Sequence, residues 1–303
     1  MSSESKIFNP QSKVVYHLDT VLDYFKNKSV DPINLEIDPS NACNHSCPFC
    51  ISGHLHLSKF KDTEFFNRQM MHKDILMNLV KDLSKTKVKS VSWTGGGEPT
   101  MNPALKEAIK YLKENSNIDM GMFSNGSMLT RFDLFETVVD SLSWIRISMD
   151  AGKAKSYDDL RVTNRSNSFK VVLDNIKKLI KIKKERNSKI TIGVGFVVTQ
   201  DNYNEVLDFA NLFKDLDVDY CQYKPEIIQI ERNMASDKKE QIAPEFWASK
   251  VIDLLDQASK ILGKKFQCNS YKVQDLIVDK KKTYGREYKQ CIGSQLQPCI
   301  GAD

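Results

Sequence analysis

The chain has 303 residues, 41% hydrophobic and 27% charged, which suits one large α/β domain or one domain with a small appendage. With 44 basic and 39 acidic residues, the net charge of +5 is too mild to call for nucleic acid and is compatible with an anionic small molecule. No apolar run approaches a membrane span, and Met1–Lys6 lacks the apolar core of a signal peptide. A cytoplasmic protein without a membrane partner is expected, its seven cysteines serving metal or redox chemistry rather than disulfides.

Residues 1–12 are polar and carry Pro10, reading as a loose arm. Val15, Leu18, Leu22 and Phe25 recur at helical spacing and predict a helix over Val14–Lys26, outside the core. Ile33–Asp38 reads as the first strand and leads into a loop with three cysteines, Cys43, Cys47 and Cys50. Met70–Thr86 is an amphipathic helix with Ile75, Leu76, Leu79, Val80 and Leu83 on one face. Val88–Trp93 is the second strand and runs straight into Gly95-Gly96-Gly97-Glu98-Pro99. A helix over Pro103–Asn115 precedes the third strand, Ile118–Phe123, which Ser124-Asn125-Gly126 follows at once. Asp133–Leu142 is a helix, and Trp144–Met149 is the fourth strand, with Asp150 at its end. Helices over Ser168–Glu185, Tyr203–Leu216 and Glu245–Leu262 alternate with strands over Ile190–Val198 and Val218–Lys224.

Strand and helix repeated about six times spell a parallel sheet with crossover helices. Periodicity alone leaves an open sheet and an incomplete barrel both standing. In either, ligands bind at the carboxyl ends of the strands. The cysteine loop, the glycine run, Ser124-Asn125 and Ser148-Asp150 all fall on that edge.

Three thiolates within eight residues can converge on one metal centre. Zinc is one reading, with His45, His54 or His56 completing a Cys3His set. An iron–sulfur cluster is the other. Such clusters usually take four thiolates, so three leave one iron open to a ligand. Glycines 95–97 would let backbone carbonyls approach a ligand closely, and Glu98 adds a carboxylate, which together suit an ammonium group. Their structural alternative is a strand end followed by a proline-started helix. Ser148 and Asp150 read equally well as a strand hydroxyl and a helix cap.

The C-x3-C-x2-C loop with Phe49 before its last cysteine resembles the signature of the radical S-adenosylmethionine (SAM) enzymes. The GGE run, the Ser-Asn-Gly ending, Ser148-Met149-Asp150 and an arginine turn at Asp158–Arg161 follow in that family's order across residues 33–225. The resemblance implies a partial (β/α)6 TIM-like barrel over residues 31–240, after an arm and helix at 1–30. It implies a [4Fe–4S] cluster on Cys43, Cys47 and Cys50 whose open iron chelates SAM. Phe49, Gly96, Gly97, Glu98, Asn125, Ser148 and Arg161 are its implied SAM contacts. SAM would be cleaved to methionine and a 5′-deoxyadenosyl radical that abstracts a hydrogen atom from a small-molecule or peptide substrate, of peptide or sugar-nucleotide type. A donor such as flavodoxin or ferredoxin would supply the electron. A cysteine–zinc α/β binding protein and a degenerate member without turnover are the alternatives.

Residues 241–303 hold a helix and a tail whose Cys291-Ile292-Gly293 and Cys299-Ile300-Gly301 resemble the opening of a SPASM or twitch extension. In relatives that extension carries auxiliary iron–sulfur clusters. Cys268, Cys291 and Cys299 are one short of four thiolates, and the pattern stops at Asp303, so an auxiliary cluster near Cys291 and Cys299 stays open. The chain is expected to be either naturally short or the front of a longer one.

Overall fold

Alternating buried and half-exposed residues organise a single parallel sheet. A computed structural model describes residues 14–27, 29–163, 167–226, 242–268, 273 and 296–302. Strands β1 (Asn34–Ile37), β2 (Ser90–Trp93), β3 (Asp119–Ser124), β4 (Trp144–Ser148), β5 (Thr191–Val198), β6 (Tyr220–Pro225), β7 (Phe266–Cys268) and β8 (Cys299–Ile300) lie in the order β7-β6-β5-β4-β3-β2-β1-β8. Every neighbouring pair is parallel, and the sheet does not close into a barrel.

The crossovers are helices α2 (Lys73–Leu83), α3 (Leu105–Asn115), α4 (Phe135–Ser141), α5 (Ala154–Arg161), α6 (Ser168–Glu185) and α7 (Val206–Phe213). Helix α1 (Leu18–Asn27) precedes the sheet, and α8 (Ile252–Leu262) follows a π-helical segment at Trp247–Val251. No described helix is long and apolar enough to cross a membrane.

Register divides the sheet into two unlike faces. Leu35, Val91, Met120, Met122, Ile145, Ile147, Ile192 and Val194 share one face and are buried under the helices in the hydrophobic core. Asn34, Glu36, Ser92, Phe123, Arg146, Ser148 and Gln222 share the other. Parallel sheets usually bury apolar side chains on both faces. A polar second face marks the concave side of an unclosed barrel.

Three sequence expectations differ from the structure. Among the described residues the sheet has eight strands, not six, because two short segments of the tail, β7 and β8, extend its two edges. Helix α5 replaces the expected turn around Arg161. In α2 the buried stripe is Leu76, Met77, Val80 and Leu83, while Ile75 is 61% exposed. Helix α1 lies outside the hydrophobic core, as expected: only Tyr24 is buried, and Leu18, Leu22 and Phe25 stay exposed.

Candidate active site

The cysteine loop leaves the carboxyl end of β1 and is held on both flanks. On one side, Gly97 N–H donates to Ser40 O and Glu98 N–H to Ala42 O, both at 2.9 Å. This explains the glycines. A Cβ on Gly97 would lie 2.1 Å from the Ala42 carbonyl oxygen, a backbone atom that cannot rotate away. A Cβ on Gly96 would meet mainly the side chains of Leu55 and Asn41. On the other side, Ser46 N–H donates to the carbonyls of Arg161 and Val162 at 3.2 and 3.1 Å, and His45 bridges Thr163. The loop is thus sewn to the end of β2 and to the end of α5.

The unequal glycines give an expected result. Gly97→Ala will displace the cysteine loop and lower iron loading, at an overpacking cost of roughly 1–3 kcal/mol. Gly96→Ala will be milder, because side chains can yield. Iron content and urea unfolding of the two variants check the order, and equal behaviour would remove the steric account.

Glu98 is buried and caps the short helical turn at Pro99–Met101. Its Oε1 accepts from Thr100 Oγ1 at 2.5 Å, Ser124 Oγ at 2.7 Å and Thr100 N–H at 3.2 Å. Its Oε2 accepts one bond, from Asn125 N–H at 2.7 Å. Burial raises its pKa, and these donors oppose the rise. Each carboxylate oxygen offers about two lone pairs, so Oε2, with one donor, keeps capacity for a further one. The ends of β2 and β3 are locked together through this one carboxylate. Asn125 carries the lock to the cysteine loop: its Nδ2 donates to Asn44 Oδ1 at 2.9 Å, and Asn44 Nδ2 donates to Ser127 Oγ at 2.8 Å.

Arg161 is buried at the last position of α5. Its Nη2 lies 2.5 Å from Asp150 Oδ2, and its Nη1 lies 3.5 Å from Cys47 Sγ. Burial opposes the charge, but the Asp150 carboxylate and Cys47 outweigh it, so the arginine pKa is raised. Asp150 sits at φ 56°, a strained value for a side-chain-bearing residue, and its Oδ1 accepts from Val197 N–H at 2.7 Å. Arg161 therefore ties the cysteine loop to the ends of β4 and β5. Ser148, on the polar face two residues earlier, is half-buried. Phe49 is half-buried in the turn between Cys47 and Cys50.

The thiols themselves are free: Cys47 is buried, and Cys43 and Cys50 are half-buried. Burial pushes Cys43 and Cys50 up to about 12 and raises Cys47 as well. Three neutral thiols, with Arg161 as the cation beside Cys47, form a donor set that a metal centre would ionise, since coordination deprotonates a thiol. Soft thiolate donors without hard oxygen ligands fit an iron–sulfur cluster. His45, named for the zinc reading, has neither ring nitrogen hydrogen-bonded and packs edge-on to Tyr157, its pKa lowered to about 3 by burial and then Arg161. Among the described residues, no three His, Cys, Asp or Glu side chains surround a single ion position.

The tail cysteines lie apart. Cys268 pairs with Tyr223 on the helix-covered face at one edge of the sheet, and Cys299 pairs with Glu36 on the polar face at the other. Cys291 lies outside the described residues. Sequence reasoning placed Ser124 and Asp150 on the site's edge without giving them a role, and it missed Asn44 and Thr100. A carboxylate directly after a buried strand was the one available signal, at Asp150.

The family model of the Radical SAM superfamily matches residues 37–210. A tungsten-containing aldehyde ferredoxin oxidoreductase cofactor-modifying protein from Pyrococcus furiosus is 28% identical over 187 residues, 61% of this chain and 49% of that protein. A probable GTP 3′,8-cyclase from Saccharolobus solfataricus is 30% identical over 186 residues, 61% of this chain and 54% of that one. The chain spans about half the length of these curated relatives. Among solved structures, Streptococcus suis SuiB bound to precursor peptide SuiA aligns with TM-score 0.63 and 15% identity, over 98% of this chain and 64% of that one. The anSMEcpe structure with bound AdoMet aligns with TM-score 0.54 and 18% identity, over 79% and 64%. At these identities the structural likeness concerns the fold.

Proposed function

This chain belongs to the radical SAM superfamily, and we propose that it holds a [4Fe–4S] cluster on Cys43, Cys47 and Cys50, binds SAM, and abstracts a hydrogen atom from an organic substrate. One observation carries the reading. The cysteine loop, the glycine run with Glu98, Ser124-Asn125 and the Asp150–Arg161 pair form one hydrogen-bonded unit at the carboxyl ends of β1 to β4. When bound, the cluster supplies the electron that splits SAM into methionine and a 5′-deoxyadenosyl radical.

The residues divide by what they touch. Ser148 is on the polar face at the strand end, where its hydroxyl would meet the SAM ribose or carboxylate. The carbonyls of Gly96 and Gly97, and Glu98 Oε2, line the side where the SAM ammonium would sit. Phe49 would shield the cluster edge. Arg161 and Asn125 are the remaining SAM contacts of this reading, and both also hold the cysteine loop, Arg161 at Cys47 and Asn125 at Asn44. The substrate is of peptide or sugar-nucleotide type. The curated relatives named above modify a cofactor or cyclise GTP, and SuiB is named with a precursor peptide, so neither type is favoured by likeness alone. A flavodoxin or ferredoxin is the proposed electron donor.

Anaerobic incubation of reconstituted protein with SAM and dithionite tests this. The expected outcome is 5′-deoxyadenosine and methionine in equal amounts. A fully loaded cluster without 5′-deoxyadenosine would instead mark a member that has lost turnover.

A further inference from the structure

The polar face of the sheet holds a cation that the SAM-binding unit does not use. Arg146 lies mid-strand in β4, with three strands on one side of it and four on the other. Its Nη1 donates to Gln222 Oε1 on β6 at 2.5 Å, and its guanidinium stacks 4.2 Å from the Phe123 ring on β3. Among the described residues it has no carboxylate partner. Asp150, the nearby carboxylate, is engaged by Arg161. Glu36 shares the face but lies three strands away, about 14 Å at normal strand spacing, and accepts from Gln297 at 2.7 Å.

Gly195 of β5 lies beneath Arg146, where a Cβ would make only an ordinary contact, 3.5 Å from Arg146 Nε. Gly121 and Gly193 make room for the rings of Trp144 and Tyr220, which a Cβ would strike at 1.9 and 2.1 Å. The result is a platform of aromatic rings with one guanidinium at its centre. Burial lowers the arginine's pKa, against the opposing pull of Tyr220 and Asp150. Gln222 takes one of its five N–H donors, and a planar fork with free donors matches a carboxylate or phosphate.

We propose that Arg146, with Gln222, is the anchor for an oxyanion of the substrate, a phosphate or a carboxylate, on the concave face below the SAM site. This rests on the SAM-cleaving reading, because that reading puts the reacting carbon near the strand ends. Ser148 is two residues further along the same strand and face, about 7 Å away. An anion held at Arg146 would therefore direct the rest of the substrate toward the strand ends, with the aromatic rings beside it.

The test is equilibrium dialysis of the anaerobically reconstituted, SAM-loaded protein against radiolabelled phosphate and, separately, acetate. Saturable binding of one of them is expected, and the tighter anion shows whether the substrate is phosphorylated or a carboxylate. Arg146→Gln should weaken that binding roughly tenfold to hundredfold. Arg146→Lys should restore part of it. Gln222→Glu should weaken it comparably by setting a carboxylate against the intact guanidinium, which covers the case in which Arg146→Gln does not fold. Binding of neither anion, or wild-type binding by a folded Arg146→Gln protein, would overturn the proposal. Wild-type 5′-deoxyadenosine release, measured in parallel, separates the two readings. Anion binding without SAM cleavage would defeat the functional reading alone, and SAM cleavage without anion binding would defeat this one alone.

Discussion

Replacing Cys43, Cys47 and Cys50 together by Ala is expected to leave anaerobically reconstituted protein colourless, with iron and sulfide at background. No thiolate would remain in the loop between β1 and α2. The other described cysteines offer no substitute: Cys221 is buried in the core, and Cys268 and Cys299 sit on opposite edges and faces of the sheet. The fold should survive, because it rests on the helix-covered face. Neutral buried thiols contribute little that alanine does not, apart from their own packing. Circular dichroism and a urea midpoint near that of the metal-free wild type would verify this. Full iron and sulfide content in the triple variant would refute the assignment of the cluster.

The second large effect concerns a buried ion pair. Arg161→Met is expected to destabilise the protein by about 3–5 kcal/mol, since it strands a buried charge at Asp150. The Asp150 side chain is 2% exposed and that of Arg161 7%, so water cannot take over the missing partner. Asp150→Asn together with Arg161→Met should recover much of the loss, because replacing both members of a buried pair is often close to neutral. Urea unfolding of the metal-free single and double variants reads this directly. A single-variant loss below about 1 kcal/mol would show that the pair does not hold the strand ends together. Iron loading should fall with Arg161→Met as well, because the cysteine loop is sewn to this end of α5.

Much of this arrangement was legible in the chain. Strands β2 to β4 are apolar runs that end beside the residues found at the site, so the site edge follows from periodicity. The cysteine spacing and the glycine run mark two of the site's parts. The rest was hidden for physical reasons. Strands β7 and β8 span three and two residues, too short for any alternation to register. Helix α5 is short and mostly polar, so its apolar face, Tyr157 and Leu160, does not stand out. Asp150 and Arg161 are eleven positions apart, and only the left-handed turn at Asp150 and the helix after it bring them together. At position 97 the missing side chain also makes room for the backbone of the cysteine loop, a packing reason that spacing does not reveal. Arg146 stands in Trp144-Ile145-Arg146-Ile147-Ser148, an alternating strand inside a parallel sheet, a signal of a polar inner face that the sequence reading passed over.

The central claim is that three cysteines hold a cluster whose remaining iron is free to take SAM. Electron paramagnetic resonance of the dithionite-reduced protein, recorded with and without saturating SAM, tests it most directly. The account predicts the signal of one reduced [4Fe–4S] cluster per chain, with g values that move when SAM is added. A signal indifferent to SAM, or a protein that retains only zinc, would contradict it.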